Sequence, residues 1–338
     1  MHVELLEKRQ LMAASVEGVG ALGDSYTDEY RFYAPDRSTA QNYIEQLADA
    51  RRLDFGRFTD QPRGVPRNAG FAYNWAQSAD TTTDMLAGGQ LAGLAAQVAA
   101  GKVDLAFVFI GGNDFRGVFT SSDPVATLGT VVPQAVTNVF TAVGTLLAAS
   151  PEVNVVVATL PKVSVLPEVR GAIAGGFLPQ ALADAVDFAI DAFNQQLRGL
   201  ADGSPRVALA DVDALVTDIL APASFSVGGV TIDRDVPGND AHNLWLADGL
   251  HAGTVGQGLL ANLFVNAANE EFDAHIRPLS DREILRNTGL RSCEISAARP
   301  SCDVDAGAAA TRTTFSDVEL DRRGTDDDAV LLAVMQPA

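Results

Sequence analysis

Cysteine and histidine are both scarce in this chain, which has two cysteines and four histidines among 338 residues. Cys293 and Cys302 are separated by eight residues near the C-terminal end, and neither has cysteine or histidine partners at the spacing of zinc ligands. A local disulfide in an oxidising compartment and two free thiols both remain open. The scarcity of histidine also narrows the search for a catalytic base to four positions.

Basic residues are also few relative to acidic ones, and long apolar runs are absent from the sequence. The chain has 43 acidic against 24 basic residues, a formal net charge of −19. Such a surface repels phosphate backbones and anionic membrane surfaces on average, so no nucleic-acid partner is expected. No apolar stretch approaches the eighteen or more residues of a membrane span, and none is predicted. The hydrophobic content of 47% is enough for a real core, in one large α/β domain or two ordinary ones.

The N-terminal segment lacks the basic-then-apolar order of a secretory signal. Glu4 and Glu7 come early, and Lys8-Arg9 interrupts the apolar residues. The tract resembles a short L-E-x-R-x-L-type leader at the start of some bacterial surface and secreted proteins. We therefore treat residues 1–14 as a leader-like segment, and keep both a secreted or cell-surface location and a cytoplasmic one open.

Apolar β-branched runs alternate with helical patterns over residues 15–278. V-D-L-A-F-V-F-I at 103–110 has the form of a strand buried on both faces. Parallel neighbours need crossover connections, which then cover the sheet, so this order predicts an α/β domain with a parallel sheet and helices on both faces. The predicted strands cover residues 16–22, 103–110, 153–160 and 206–212, and the predicted helices cover residues 40–51, 86–100, 124–150, 181–200 and 254–273.

Two local patterns in the later chain carry finer predictions. V-G-G-V at 227–230 has the form of a β-hairpin. Thr254 is predicted to cap the helix that follows, and Thr254 with Gln257 has the form of a capping box.

The composition changes after the predicted domain, where Arg and Asp are dense and apolar runs are short. Residues 279–338 are accordingly predicted to be a C-terminal extension or tail. Within it, residues 318–334 resemble a degenerate calcium loop of dockerin-like modules. Arg323 falls where a calcium ligand is expected and the closing acidic residue is missing, which favours a solvated acidic tail over a metal site.

The stretch G-D-S-Y-T-D at 23–28 directly follows the first predicted strand. Gly-Asp-Ser is ordinary turn chemistry, which is one interpretation of Ser25. The other is a nucleophile, because reacting groups in open parallel sheets gather beyond the carboxyl ends of the strands. A serine attacks an ester well only when an imidazole accepts its proton and a carboxylate fixes that imidazole.

The best candidate for that imidazole is His251, in A-D-G-L-H-A-G-T. It stands three residues after Asp248, in a loop that precedes the helix predicted at 254–273. Such a loop can place the carboxylate against Nδ1 and leave Nε2 free to face the nucleophile. His242 is the competing candidate, and its nearest acid, Asp240, is only two residues away.

A third polar cluster, G-G-N-D at 111–114, ends the strand predicted at 103–110. Asn113 would then lie at the same edge of the sheet as Ser25. An asparagine side-chain N–H is a suitable donor to an oxyanion, whereas the alternative for Asn113 is simple turn formation.

These three motifs, in this order, resemble the SGNH or GDSL-type ester hydrolases over about residues 15–275. The resemblance implies a three-layer flavodoxin-like α/β fold and a Ser-His-Asp mechanism that needs no metal or cofactor. On this resemblance Ser25 is the nucleophile and the first oxyanion donor, through its backbone amide. Asn113 matches the side-chain donor, and Asp248 with His251 matches the acid and base.

The chain departs from the family pattern at the second backbone donor. That donor usually belongs to the glycine of Asn-x-x-x-x-Gly, and N-W-A-Q-S-A-D-T at 74–81 places Ala79 there. Alanine keeps the amide but adds a methyl group and disfavours positive φ. If the position is left-handed, we expect a cost of about 1 kcal/mol or more and reduced activity on bulky acyl groups first.

Substrate contacts are predicted for three residues, each of which could instead simply pack. Arg116 could meet an anionic group, and Trp75 and Trp245 could stack on a sugar or line an acyl pocket. The sequence has no long apolar lid segment, so short-chain acyl esters are expected, including acetyl esters on carbohydrate. The alternative is a non-catalytic surface protein that binds a ligand or carbohydrate with the same fold. The oligomeric state is open.

Overall fold

The computed structural model describes residues 16–60 and 69–290. The leader-like segment, Cys293, Cys302 and the calcium-like stretch lie outside these residues. The strands are β1 (Val19–Gly23), β2 (Phe58–Thr59), β3 (Gly70–Phe71), β4 (Leu105–Phe109), β5 (Asn154–Ala158), β6 (Val207–Ala210), β7 (Phe225–Val227) and β8 (Val230–Ile232). The helices are α1 (Tyr43–Arg51), α2 (Thr82–Ala87), α3 (Gln90–Ala99), α4 (Gly112–Thr120), α5 (Pro124–Ala149), α6 (Pro167–Ala174), α7 (Gln180–Asp202), α8 (Val212–Leu220), α9 (Thr254–Phe272) and α10 (Asp281–Asn287).

A parallel four-stranded sheet in the order β1-β4-β5-β6 forms the centre of the fold. Every residue of β1 and β4 is buried, which explains why these strands are continuous apolar runs. Helices α3, α5 and α7 pack together against the sheet, and α1, α9 and α10 form a second packed group. The predicted α/β class is confirmed.

The outer edge of β1 is covered by the extended segment 73–77. The Ala21 amide donates to the Tyr73 carbonyl at 3.0 Å, and the Trp75 amide donates to the Ala21 carbonyl at 2.8 Å. The Gln77 amide then donates to the Gly23 carbonyl at 3.1 Å, at the end of β1. The segment therefore delivers the residues that follow it to the carboxyl edge of the sheet.

Two local predictions are wrong and one is confirmed. The alanine-rich helix expected at 86–100 is divided into α2 and α3, because Gly89 adopts a left-handed φ of 95° between them. The expected cap and capping box at Thr254 do not form, because Gly253 is the N-cap of α9. The Gln257 side chain instead accepts from the Tyr43 backbone amide and donates to the Tyr30 hydroxyl. The β7–β8 hairpin matches the expectation at 227–230.

Helix α5 is long and apolar enough to cross a membrane by length and composition alone, contrary to the sequence expectation. In the fold it packs against α2, α3, α4 and α7, which accounts for its apolar face. Its exposed face carries threonines whose hydroxyls donate to carbonyls one turn earlier, as from Thr141 to Thr137 and from Thr145 to Thr141. These bonds satisfy the threonine hydroxyl donors within the helix itself.

The domain extends past the predicted boundary at residue 278. Helix α10 packs on α9, and Ile284 and Leu285 are completely buried. Arg51 of α1 donates to both oxygens of Glu283, at 3.0 and 2.8 Å. The start of the predicted tail is therefore part of the core, and the remainder of 279–338 after residue 290 lies outside the described residues.

Candidate active site

Ser25 lies in a tight turn at the carboxyl end of β1. A Cβ on Gly23 would lie 2.6 Å from Thr27 Oγ1 and 2.7 Å from the Phe109 carbonyl oxygen, so only glycine fits there. The chain then folds back, because the amides of Thr27 and Asp28 both donate to the Asp24 carbonyl, at 3.0 and 2.9 Å. The turn leaves Ser25 only 5% exposed.

Asp248 and His251 meet Ser25 in one chain of hydrogen bonds. His251 Nε2 is 2.8 Å from Ser25 Oγ, and His251 Nδ1 is 2.6 Å from Asp248 Oδ2. With an ionised Asp248, Nδ1–H donates to the carboxylate and the serine hydroxyl donates to Nε2. This is the arrangement in which an imidazole can accept the proton of a serine.

The Asp248 carboxylate is fixed by its own loop. Its Oδ1 accepts from the amides of Leu250 and His251 at 2.8 and 2.9 Å. Burial acts to raise the pKa of Asp248, but the hydrogen bonds and charge of His251 outweigh burial and hold the pKa below its usual value. Gly249 permits the loop, with a φ of 69° and a Cβ position only 2.8 Å from the Glu168 amide nitrogen. Asp248 is therefore held as an acceptor.

Aromatic side chains confine the imidazole. The rings of Tyr26 and Tyr30 lie 5.6 and 6.1 Å from the His251 ring, between centroids. The Tyr26 hydroxyl donates to the Leu250 carbonyl at 2.5 Å and so ties the serine turn to the histidine loop. His242, the competing candidate, is exposed on another part of the loop. The structure thus joins Ser25 to His251 and not to His242.

Ala79 adopts a φ of 68°, so its backbone is left-handed. This is the conformation in which the sequence analysis expects an alanine to carry a conformational cost. It is one of four non-glycine residues with positive φ among those described. The preceding residue, Ser78, donates its amide to Asp28 Oδ2 at 2.9 Å. Asn74 donates its side chain to the Thr27 carbonyl at 2.9 Å. The segment that carries Ala79 is therefore fastened to the turn that carries Ser25.

Asn113 lies in the first turn of α4 and contacts the same segment. One N–H of its amide donates to the Asp80 carbonyl at 3.0 Å. An amide carries two N–H groups, so the second can donate to a ligand. The neighbouring Asp114 carboxylate accepts from the Thr82 amide and hydroxyl at 2.8 and 2.6 Å, which fixes α4 against residues 79–82.

Two buried polar side chains that the sequence did not single out connect these parts. Gln90 accepts from the Gly23 amide at 3.1 Å and donates to the Gly23 carbonyl and to Asp80 Oδ2, at 3.0 and 2.7 Å. Arg37 donates to the Ser25 carbonyl at 3.1 Å and to Ser78 Oγ at 2.8 Å. Their partners are distant in sequence, so no local pattern marks them.

The three residues predicted to contact substrate all bond to other parts of the protein. Trp245 is 2% exposed and its indole N–H donates to the Arg234 carbonyl, which argues against stacking on a sugar. Trp75 packs over Gly93 and donates to Gln97 at 2.8 Å.

Arg116 pairs with Glu168 at 2.9 Å, and both side chains are largely buried. Burial raises the pKa of Glu168, while the Arg116 charge opposes the shift. The charge of Arg116 is therefore matched within the protein. Among residues 16–60 and 69–290, no group of three or more His, Cys, Asp or Glu side chains could hold a metal ion.

The sequence matches the family model of GDSL-like lipases and acylhydrolases over residues 19–264. The chain belongs to this family. The activity of the chain is therefore ester hydrolysis in the general sense. No curated protein matches the sequence.

Several solved structures are similar to this GDSL hydrolase. A family 3 carbohydrate esterase from Clostridium thermocellum is 15% identical with a TM-score of 0.42, over 78% of this chain and 100% of that one. The lipase Lip_vut3 from a goat rumen metagenome is 15% identical with a TM-score of 0.46, over 74% and 96%. A phospholipase A1 from Streptomyces albidoflavus is 20% identical with a TM-score of 0.40, over 60% and 82%. At such identities a likeness extends no further than the fold.

Proposed function

We propose that this chain hydrolyses short-chain carboxylic esters through an acyl-enzyme formed on Ser25. The observation that carries the proposal is the continuous hydrogen-bond chain from Ser25 Oγ through His251 to Asp248. In the proposed reaction His251 takes the proton of Ser25 as its oxygen adds to the ester carbonyl. His251 then gives this proton to the leaving alcohol, and a water molecule repeats the sequence to release the acid.

The proposed oxyanion hole consists of three N–H donors. These are the backbone amides of Ser25 and Ala79 and the free N–H of the Asn113 side chain. Preorganised donors of this kind stabilise the charge that develops in the tetrahedral intermediate. The hydrogen bonds of Ser78, Asp80 and Asn113 to neighbouring residues support this role. Donors that are already held in place need no reorganisation energy during the reaction.

The burial of the site supports a short acyl group. Ser25 and His251 are 5% and 2% exposed, so a bulky acyl chain would have to displace neighbouring side chains. The matched charges of Arg116 and Glu168 support a neutral ester rather than an anionic one. Acetyl esters of carbohydrates are included among the proposed substrates, because the acetyl group is the smallest of these acyl groups.

Turnover of p-nitrophenyl acetate, butyrate and octanoate tests the proposal, with Ser25→Ala as the inactive variant and Ser226→Ala, an exposed serine of the β7–β8 hairpin, as the control. We expect hydrolysis that falls with acyl length, that disappears in Ser25→Ala and that persists in Ser226→Ala. A fluorophosphonate label should map to the peptide that contains Ser25. Binding of acetylated sugars without turnover would instead support the non-catalytic alternative. Full activity of a folded Ser25→Ala variant would exclude the mechanism.

A further inference from the structure

Arg37 is a buried arginine that contacts two separate parts of the proposed oxyanion hole. It is only 4% exposed. One nitrogen, Nη1, donates to the Ser25 carbonyl at 3.1 Å, and the other, Nη2, donates to Ser78 Oγ at 2.8 Å. The guanidinium lies over the Tyr33 ring, 3.8 Å from its centroid, which limits rotation of its plane. A single rigid group therefore bridges the serine turn and the segment at 73–80.

Ser78 is held from a second direction as well. Its amide donates to Asp28 Oδ2 at 2.9 Å, and Asp28 is itself 6% exposed. The Tyr33 hydroxyl donates to the same Asp28 oxygen. Backbone and side chain of Ser78 are thus both held by side chains that precede α1, those of Asp28 and Arg37.

The orientation of Ser78 determines where the next amide points. The N–H of Ala79 belongs to the peptide plane that begins at the Ser78 carbonyl carbon, and Ala79 follows with its φ of 68°. Alanine disfavours this conformation, so the surrounding contacts must impose it. The contacts of Arg37 and Asp28 with Ser78 are the side-chain bonds nearest to that peptide plane along the chain.

We propose that Arg37 is a positioning residue that sets the distance between the backbone amides of Ser25 and Ala79. This inference rests on the proposed function, because it assigns Arg37 to the oxyanion hole of that reaction. Arginine suits the task since its planar fork donates to two acceptors at once, whereas lysine is a single point charge. The hydrogen bonds of Arg37 end on the Ser25 carbonyl and on Ser78 Oγ, so Arg37 is proposed to act through the residues it holds.

The reference for a purely structural arginine is Arg51. Its side chain is 6% exposed, and it donates to the carbonyls of Arg277 and Pro278 and to Glu283. It therefore joins α1 to α10 in the same multidentate manner as Arg37 joins its partners, at a place with no contact to the site. Arg51→Lys reports what loss of a buried arginine fork does to stability alone.

The experiment measures kcat, KM and the melting temperature of Arg37→Lys, Ser78→Ala and Arg51→Lys on p-nitrophenyl acetate. A displacement of a donor by about 1 Å can cost about 10²-fold in rate, so Arg37→Lys is expected to lower kcat by about 10- to 100-fold with KM nearly unchanged. Ser78→Ala should lower kcat in the same direction by a smaller factor. Arg51→Lys should lower the melting temperature and leave kcat within about 2-fold of the starting enzyme.

The pH profile separates positioning of the oxyanion donors from disturbance of the base. The plateau of kcat/KM should fall in Arg37→Lys while the midpoint of its acid limb stays in place. A shifted midpoint, or a kcat of folded Arg37→Lys within about 2-fold of the starting enzyme, overturns the inference. If Arg37→Lys does not fold, Ser78→Ala decides: a lower kcat at equal KM supports the inference and an unchanged kcat overturns it. An enzyme without any Ser25-dependent activity overturns the proposed function, and this inference with it.

Discussion

The left-handed alanine at position 79 provides a quantitative test of the site. Ala79 has a φ of 68°, in the region where an L-residue with a Cβ costs about 1–2 kcal/mol. Ala79→Gly removes this cost. Glycine, however, has more conformational freedom than alanine in the unfolded chain, and this stabilises the unfolded state by about 0.4–1 kcal/mol. The difference between these two terms predicts that Ala79→Gly raises the free energy of unfolding by up to about 1.6 kcal/mol, with a central value of about 0.8 kcal/mol.

Urea denaturation and thermal melting measure this change. For a domain of this size the gain corresponds to a rise of about 1–4 °C in melting temperature. Arg52→Gly is the matched control, because Arg52 has a φ of 54° at the end of α1, away from Ser25. Both variants should be more stable than the starting protein, and only Ala79→Gly should change activity.

The expected change in activity is a shift of acyl preference. Without the methyl group the hole is wider, so kcat/KM for the butyrate and octanoate esters should rise relative to acetate. The reasoning is refuted if Ala79→Gly is destabilised while Arg52→Gly is stabilised, because the methyl group would then contribute more through packing than its backbone costs. An identical acyl preference in the two variants would refute the assignment of Ala79 to the hole.

Three further predictions concern the surrounding residues. Asn113→Ala should lower kcat about 10²- to 10³-fold on p-nitrophenyl acetate, and near-normal turnover would remove Asn113 from the mechanism. Burial raises the pKa of Asp80 to about 6, above its value of 3.8 when unfolded, so the folded state loses stability as pH rises from about 4 to 6. Asp80→Asn should therefore be the more stable protein above pH 6, by about 1 kcal/mol after screening of this half-buried group, with no difference near pH 4 in urea titrations. If the two proteins differed in free energy of unfolding by the same amount at pH 4 and above pH 6, the raised pKa of Asp80 would be contradicted. Gly23→Ala should destabilise by about 1–3 kcal/mol or more, because its methyl group meets the Phe109 carbonyl, and an unaltered melting temperature would show that β1 and β4 can separate to admit it.

The sequence was most informative where function depends on position along a strand. Ser25 and Asn113 lie within a few residues of the carboxyl ends of β1 and β4, and a parallel sheet brings such ends to one edge whatever the helices between them do. With only four histidines in the chain, the base could be sought among few candidates.

The rest depended on contacts that local patterns do not encode. Gln257 matched a capping pattern, but its partners are Tyr43 and Tyr30, more than 200 residues earlier. Arg37 lies in a polar stretch typical of an exposed loop, yet tertiary partners bury it. Helix α10 was assigned to a tail because its segment is rich in charge, whereas its buried Ile284 and Leu285 and the bonds of Glu283 to Arg51 join it to the domain.

The hydrogen bond between Ser25 and His251 spans 226 positions of the chain, from the first strand of the sheet to the loop before α9. In the proposed mechanism, hydrolysis therefore requires that these two distant parts of the domain have met, and we expect a nascent polypeptide that has not yet extended to His251 to be inactive. The same geometry makes catalysis a sensitive reporter of partial opening. If α9 and α10 detach while the sheet stays intact, the proposed mechanism predicts that turnover ceases before any spectroscopic signal of the sheet declines.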